Sequence, residues 1–207
     1  MALEIGAAIK SAEELDKAVG LIAKAIGKLK AQPDLAAQKL SQALSEVAKT
    51  LQVVDTAATQ YMSLGIDEGA LSKNSKELLQ IEGGGLKTEV ARGRGHCHVI
   101  GNIYFKYLDK WFERVWKGDQ YKELREVFVR LGDADDDLFA DLGNVAVALE
   151  QEAHEVLNLV LKNEEAQART RVLAALPILR PLRKTIARTM ESLYAIQGEL
   201  ADVTGAV

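Results

Sequence analysis

Several features are scarce or missing in this chain of 207 residues, and each absence excludes a class of protein. The single cysteine, Cys97, excludes an internal disulfide framework and predicts a cytoplasmic location. No apolar run approaches the roughly 18–20 residues that cross a bilayer. The first residues lack the basic and apolar regions of a secretory signal peptide, so none is expected.

The chain also has few aromatic residues, which make up 5% of it, and only three prolines. Hydrophobic residues at 48% and charged residues at 27% are typical of a globular protein and not of a disordered one. Low proline content with abundant alanine, leucine, glutamate and lysine favours α-helices. The net charge of -4 argues against general attraction to nucleic acid, so no nucleic-acid partner is predicted.

The spacing of apolar residues predicts an all-α fold. Apolar side chains recur at about 3.5 to 3.6 positions through most of the sequence, the period of an amphipathic helix. Long helices with short connections favour an antiparallel up-and-down bundle, here of about six helices. Residues 1–207 are expected to form one domain, in which 65–95 is a connecting or inserted segment.

Capping residues and prolines predict where some of these helices begin and end. Ser11 is a plausible N-cap for the first helix, and Asp34 for the second. Gly65 is a plausible stop for the second helix. Pro177 and Pro181 are expected to kink or split the last helix, because each removes a backbone donor.

An aromatic helix over 96–117 is predicted to lie at the centre of the bundle. Six of the eleven aromatic residues lie between Tyr104 and Trp116. Trp111 is in register with Ile103 and is expected to be buried. The segment before this helix, 83–95, holds five of the 16 glycines and is predicted to be irregular.

Segment 92–98 is the strongest candidate for a ligand site. Glycines flanked by cations before a helix N-terminus would present backbone N–H groups and positive charge to an anion such as a phosphate. A solvated connection without a ligand is the alternative interpretation. The candidate ligand-binding residues are Arg92, Arg94, His96 and His98.

The same segment gives little support to metal binding or catalysis. On a helix, His96 and His98 diverge by about 200°, so a metal would need ligands from elsewhere, such as His154. Cys97 between two histidines would suit a reactive thiol near a helix N-terminus, but a lone cysteine in a bundle is more often a small buried residue. Because no nucleophile–base–orienter set is apparent, we predict no catalytic residue, metal or cofactor.

Charge is segregated in the last third of the chain. Residues 132–165 hold one basic residue, Lys162, against ten acidic ones, and no acidic residue lies between Ala166 and Met190. Arg180, Lys184 and Arg188 share one helix face at four-residue spacing. Pairing with the neighbouring acidic helix is the favoured interpretation, and docking of an oppositely charged partner is the alternative.

These patterns favour a soluble helical interaction or regulatory module that is not an enzyme. It would act through protein–protein contacts, with a homo-oligomer left open. The first alternative is a sensor or effector that binds a phosphate-bearing ligand at 92–98. The second, less favoured, is a membrane-acting bundle that exposes an amphipathic helix over 12–31.

Overall fold

A computed structural model describes residues 5–26, 34–65, 70–73, 75–116, 118–132 and 140–204, and this part of the chain is all-α, as predicted. Its elements are α1 (Ile5–Ile26), α2 (Asp34–Ser63), α3 (Ala70–Lys73), α4 (Ser75–Gly83), α5 (Leu86–Ile103), a π-helical segment (Tyr104–Leu108), α6 (Asp109–Val115), α7 (Asp119–Gly132), α8 (Ala140–Leu161) and α9 (Glu165–Thr204). With nine α-helices in the described ranges, the predicted number of about six is not confirmed.

The start of α1 differs from the prediction, whereas the bounds of α2 agree with it. α1 begins at Ile5, so Ser11 lies inside the helix and is not its N-cap. α2 begins at Asp34 and ends at Ser63, directly before a turn that contains Gly65. Apolar residues at helical spacing line one face of α2 and are buried: Leu40, Leu44, Val47, Leu51, Val54, Ala58 and Tyr61.

The start of α5 corrects the prediction of an irregular segment over 83–95. The helix begins at Leu86, ten residues before the predicted start at 96. Gly85 has a φ of 66°, a left-handed conformation that glycine adopts readily, and this breaks the chain between α4 and α5. A carboxylate oxygen of Glu150 in α8 accepts a hydrogen bond from the Lys87 backbone N–H at 3.3 Å. The first turn of α5 is thus supported from another helix.

Two glycines of α5, one inside this segment and one after it, allow helices to pack closely. A Cβ atom at Gly93 would lie 2.7 Å from the Thr50 side chain of α2. A Cβ atom at Gly101 would lie 2.7 Å from the Cα atom of Gly132 in α7. These positions therefore serve helix packing and not a loop.

The π-helical segment sets the register of the aromatic residues. Tyr104, Leu108, Phe112 and Trp116 are all buried, at intervals of four residues. In an α-helix such a stripe drifts by about 40° at each step, and the wider π turn offsets part of this drift. The Tyr104 ring stacks on Phe128 of α7 with centroids 4.0 Å apart. The side chain of Trp111 lies outside the described residues, so its predicted burial stays a prediction.

α9 is the longest helix and packs against α1, α2 and α8. It runs unbroken through Pro177 and Pro181, so the predicted split is wrong. Both prolines are exposed. The carbonyls of Leu173 and Pro177, which lose their helical donors, therefore lie on a side where water can reach them.

The connection between α8 and α9 is a tight turn. Asn163 has a φ of 61° and donates to the Val160 carbonyl, and Glu164 donates to the Leu159 carbonyl. This is a Schellman motif with asparagine in the left-handed position. It brings the acidic helix α8 next to the start of α9.

The buried apolar side chains form one connected core, to which each of the nine α-helices except α6 and the short α3 gives several residues. Cys97 belongs to this core. Among the described helices, none is both long enough and apolar enough to cross a membrane. The prediction of a cytoplasmic location rests on the cysteine count and stays a prediction.

Candidate functional site

The four candidate ligand residues of segment 92–98 lie inside α5, which separates them into two pairs. Arg92 and His96 share one face, and Arg94 and His98 lie about 200° from them. The backbone N–H groups of this segment lie within the helix, where they bond carbonyls four residues earlier. The prediction that backbone N–H groups at a helix N-terminus form an anion site here is therefore wrong. Ligand binding by the four side chains stays a prediction.

The pair formed by Arg92 and His96 faces α2. Arg92 donates a hydrogen bond to Glu89 at 2.9 Å. The Lys49 ammonium, hydrogen-bonded to Glu46, holds the pKa of that carboxyl below its ordinary value, and charge on His96 and Arg92 adds to the effect. His96 therefore lies close enough to α2 to affect the pKa of Glu46.

His96 also lines a groove between α2 and the helix formed by α5 and the π segment. The groove encloses about 400 Å³. We call it the α2–α5 groove. Its lining residues are Lys39, Gln42, Ala43, His96, Val99, Asn102, Ile103, Lys106 and Tyr107.

Positive charge dominates the α2–α5 groove. Lys39 and Lys106 line it, and no described acidic residue does. The Lys106 ammonium lies 5.2 Å from the centroid of the Tyr107 ring, a cation–π arrangement. Sequence reasoning identified only His96 here, because Lys39 and Lys106 line the same groove only when two helices distant in sequence pack together.

The second candidate surface is the exposed side of α9. Arg180, Lys184 and Arg188 are all exposed, and none forms an ion pair within the described ranges. Leu173, which is 42% exposed, lies on the same side. We call this surface the α9 face and define it by Leu173, Pro177, Arg180, Pro181, Lys184 and Arg188, all within about 60° of Lys184 around the helix.

Two other cations of the basic segment do pair internally. Arg171 donates to both carboxylate oxygens of Glu152 at 2.7 and 2.9 Å and also pairs with Glu155. Arg183 donates to both oxygens of Asp55 in α2 at 2.8 and 3.2 Å. The predicted pairing of α8 with α9 is thus present at Arg171. Among the described residues, no such pair is formed by the three cations of the α9 face, for which internal pairing stays a prediction.

The residues considered for metal binding and thiol chemistry have other surroundings. Nδ1 of His154 lies 2.6 Å from a Glu82 oxygen, and Nε2 lies 2.9 Å from the Asn158 amide nitrogen. Where the structure describes the chain, no three histidine, cysteine or acidic side chains are grouped to hold a metal. Cys97 is buried in the middle of α5 and not near a helix N-terminus, so the setting assumed for a reactive thiol is wrong.

The most strongly displaced pKa values belong to buried tyrosines away from both surfaces. Burial raises the pKa of Tyr61 far above its ordinary value, and the nearby Glu152 carboxylate adds to the rise. Burial likewise raises the pKa of Tyr104. Neither residue lines the α2–α5 groove or the α9 face, so these shifts reflect packing.

Comparison of this chain with protein-family models, with curated proteins and with solved structures gives no match.

Proposed function

We propose that this protein is a helical interaction module that docks an acidic segment of a protein partner on the α9 face. The helices serve as a scaffold, an antiparallel up-and-down bundle in which α9 is held in place. The observation that carries the proposal is the exposure of Arg180, Lys184 and Arg188 on one side of a helix, with no ion pair to any described residue.

The chemistry of the α9 face favours an acidic protein segment. Three cations at four-residue spacing span two turns, about 12 Å, and match carboxylates at similar spacing on a partner. Leu173 and two proline rings add apolar surface. The carbonyls that the prolines leave without helical donors can accept hydrogen bonds from the partner.

The α9 face is also held rigidly from behind. The Arg183–Asp55 pair fixes α9 to α2, and Thr189 donates to Asp16 of α1 at 3.4 Å. A surface already fixed in its binding conformation loses less entropy when a partner docks. This supports a module that binds without rearranging.

The membrane alternative receives less support from the fold. Leu15, Val19 and Ile22 of α1, which lie in the 12–31 stretch, are buried in the core. Their apolar face is thus already covered, and exposing it to lipid would require α1 to leave the bundle. Stronger binding to lipid vesicles than to the acidic peptide would therefore count against a protein partner.

A charge-reversal experiment tests the proposal. The triple variant R180E/K184E/R188E is compared with K87E/K110E/K122E, which makes the same change in net charge at exposed lysines elsewhere. The probe is a fluorescent helical peptide with glutamates at i, i+4 and i+8 and leucines between them, followed by anisotropy. We expect the first variant to weaken binding roughly tenfold or more and the control to change it less than threefold.

Equal losses in the two variants would contradict the proposal, because general electrostatics would then explain them. Stronger binding to vesicles of phosphatidylcholine and phosphatidylserine, or to a 20-base-pair DNA duplex, would also reject a protein partner. Circular dichroism and thermal unfolding of each variant check that it is folded.

A further inference from the structure

The α2–α5 groove is separate from the α9 face and has its own chemistry. We propose that it is a binding site for a small aromatic anion, a molecule with one flat apolar ring system and one acidic group. The proposal does not depend on the function of the α9 face, because the two surfaces share no residue.

The charges of the α2–α5 groove select for an anion. Lys39 of α2 and Lys106 of the π segment line the same cavity, with His96 also in its wall. Lys39 and Lys106 form no ion pair with any described residue. An acidic group bound in the groove would meet ammonium donors in its wall without displacing an internal carboxylate.

The apolar part of the lining suits a ring. Ala43 and Ile103 are buried in the wall of the cavity, and Val99 is 43% exposed beside them. The half-buried Tyr107 offers an aromatic surface against which a second ring can pack. The volume of about 400 Å³ falls in the usual range of small-molecule pockets, roughly 300–1,000 Å³.

Two amide side chains complete the lining. Gln42 and Asn102 are exposed and belong to α2 and α5 respectively. Each carries a donor and an acceptor, so they can fix the orientation of a bound molecule without adding charge. A few polar groups within a largely apolar lining are characteristic of ligand sites.

The π segment supplies the part of the groove that sequence periodicity did not predict. Lys106 and Tyr107 both belong to it, and the cation–π arrangement holds the ammonium beside the ring. Single π turns within α-helices occur frequently at functional sites. Here the π turn keeps Tyr104 and Leu108 in the core while Tyr107 remains at the groove.

Isothermal titration calorimetry with phenyl phosphate tests the site, with benzyl alcohol as a neutral aromatic control and inorganic phosphate as an anion without a ring. We expect phenyl phosphate to bind at least roughly tenfold more tightly than either control. K39Q and K106Q should each weaken it roughly twofold to fivefold, and K39E/K106E roughly tenfold or more. K162Q, in the α8–α9 turn, is the matched control and should leave it unchanged.

Backbone amide shifts in NMR spectra locate the ligand. We expect the largest changes at Val99, Asn102 and Tyr107. Unchanged affinity in K39E/K106E, equal affinity for benzyl alcohol, or shifts centred on another surface would each overturn the proposal. The triple variant of the α9 face should bind phenyl phosphate like the unaltered protein, so the two proposals fail independently.

Discussion

Tyr61 is fully buried in α2, and its hydroxyl has no hydrogen-bond partner among the described residues. Its electrostatic neighbours are Glu152, Glu155 and Arg171, and Arg171 pairs with both carboxylates. The phenol therefore lies beside a salt bridge that does not use it. A buried hydroxyl without a partner is costly, and an apolar replacement of the same shape removes that cost.

We expect Tyr61→Phe to be neutral or stabilising by up to about 1 kcal/mol at pH 7. The unfolded Tyr61 titrates near its ordinary pKa of about 10, whereas burial raises its pKa in the folded state. Ionisation of Tyr61 therefore costs no stability below about pH 10, and the folded state loses stability relative to the unfolded state as pH rises beyond it. Urea unfolding at pH 7 and at pH 11 should show the variant losing less stability than the unaltered protein.

Tyr194, which is 50% exposed, is the control for this experiment. Tyr194→Phe should leave the pH dependence of unfolding unchanged. If Tyr61→Phe lost as much stability between pH 7 and pH 11 as the unaltered protein does, the role assigned to this phenol would be wrong.

For single residues, burial can be predicted from the sequence, whereas the partner in an ion pair cannot. Burial of Leu40 and Val54 follows from helical periodicity alone. The partner of Arg171 does not follow from periodicity, because Glu152, Glu155 and other acids of α8 are all available. Packing against α2 and α9 decides among them.

At the scale of helices, the glycines of α5 depart most from expectation. Glycine content and cations suggested a loop, but Gly93 and Gly101 lie where neighbouring helices approach most closely. Composition alone does not distinguish a glycine that frees the backbone from one that lets another helix approach. The distinction requires knowledge of the neighbouring helix.

Gly101→Ala tests this packing. The new Cβ atom would lie 2.7 Å from the Gly132 backbone, so α5 and α7 must separate, at a cost of about 1–3 kcal/mol. Gly95 is the matched control in the same helix, since a Cβ atom there meets nothing within 4 Å. Gly95→Ala should stabilise by roughly 0.5–1 kcal/mol, because alanine favours a helix.

Chemical denaturation measures both changes. If Gly101→Ala were as stable as Gly95→Ala, the close contact between α5 and α7 would not exist in solution.

The bounds of α2 were predictable because Asp34 and Gly65 mark them locally. The start of α5 was not, because part of its support comes from Glu150, 63 residues away.

At the scale of the whole molecule, bidentate ion pairs join α9 to two other helices. Arg183 pairs with Asp55 of α2 and Arg171 with Glu152 of α8. All four side chains are partly or largely buried, so these pairs are less screened than surface pairs. They fix the position of α9 along its neighbours.

Arg183→Gln should lower the free energy of unfolding by about 1–3 kcal/mol, because it leaves the partly buried Asp55 carboxylate without its cation. Lys49→Gln removes the exposed pair with Glu46 and should cost less than about 0.5 kcal/mol. Urea titrations of both variants measure the difference. Equal losses of unfolding free energy in the two variants would mean that the Arg183–Asp55 pair stabilises no more than an exposed surface pair.

The all-α class was predictable at this scale, because helical periodicity extends through most of the chain. The two candidate surfaces were predictable only in part. The cations of the α9 face lie on one helix, and their spacing was visible in the sequence. The α2–α5 groove combines Lys39 with Lys106, and their proximity depends on how α2 packs beside the π segment.

The π segment between Tyr104 and Leu108 holds one residue more than an α-helix needs for the same turn. Each residue turns an α-helix by about 100°, so the segment resets the orientation of everything that follows it. Removing one residue from it would therefore leave an ordinary α-helix over the same turn, and Phe112 and Trp116 would keep the orientation that buries them. The segment is thus the place in this helix that can lose a residue without turning the side chains after it away from the core.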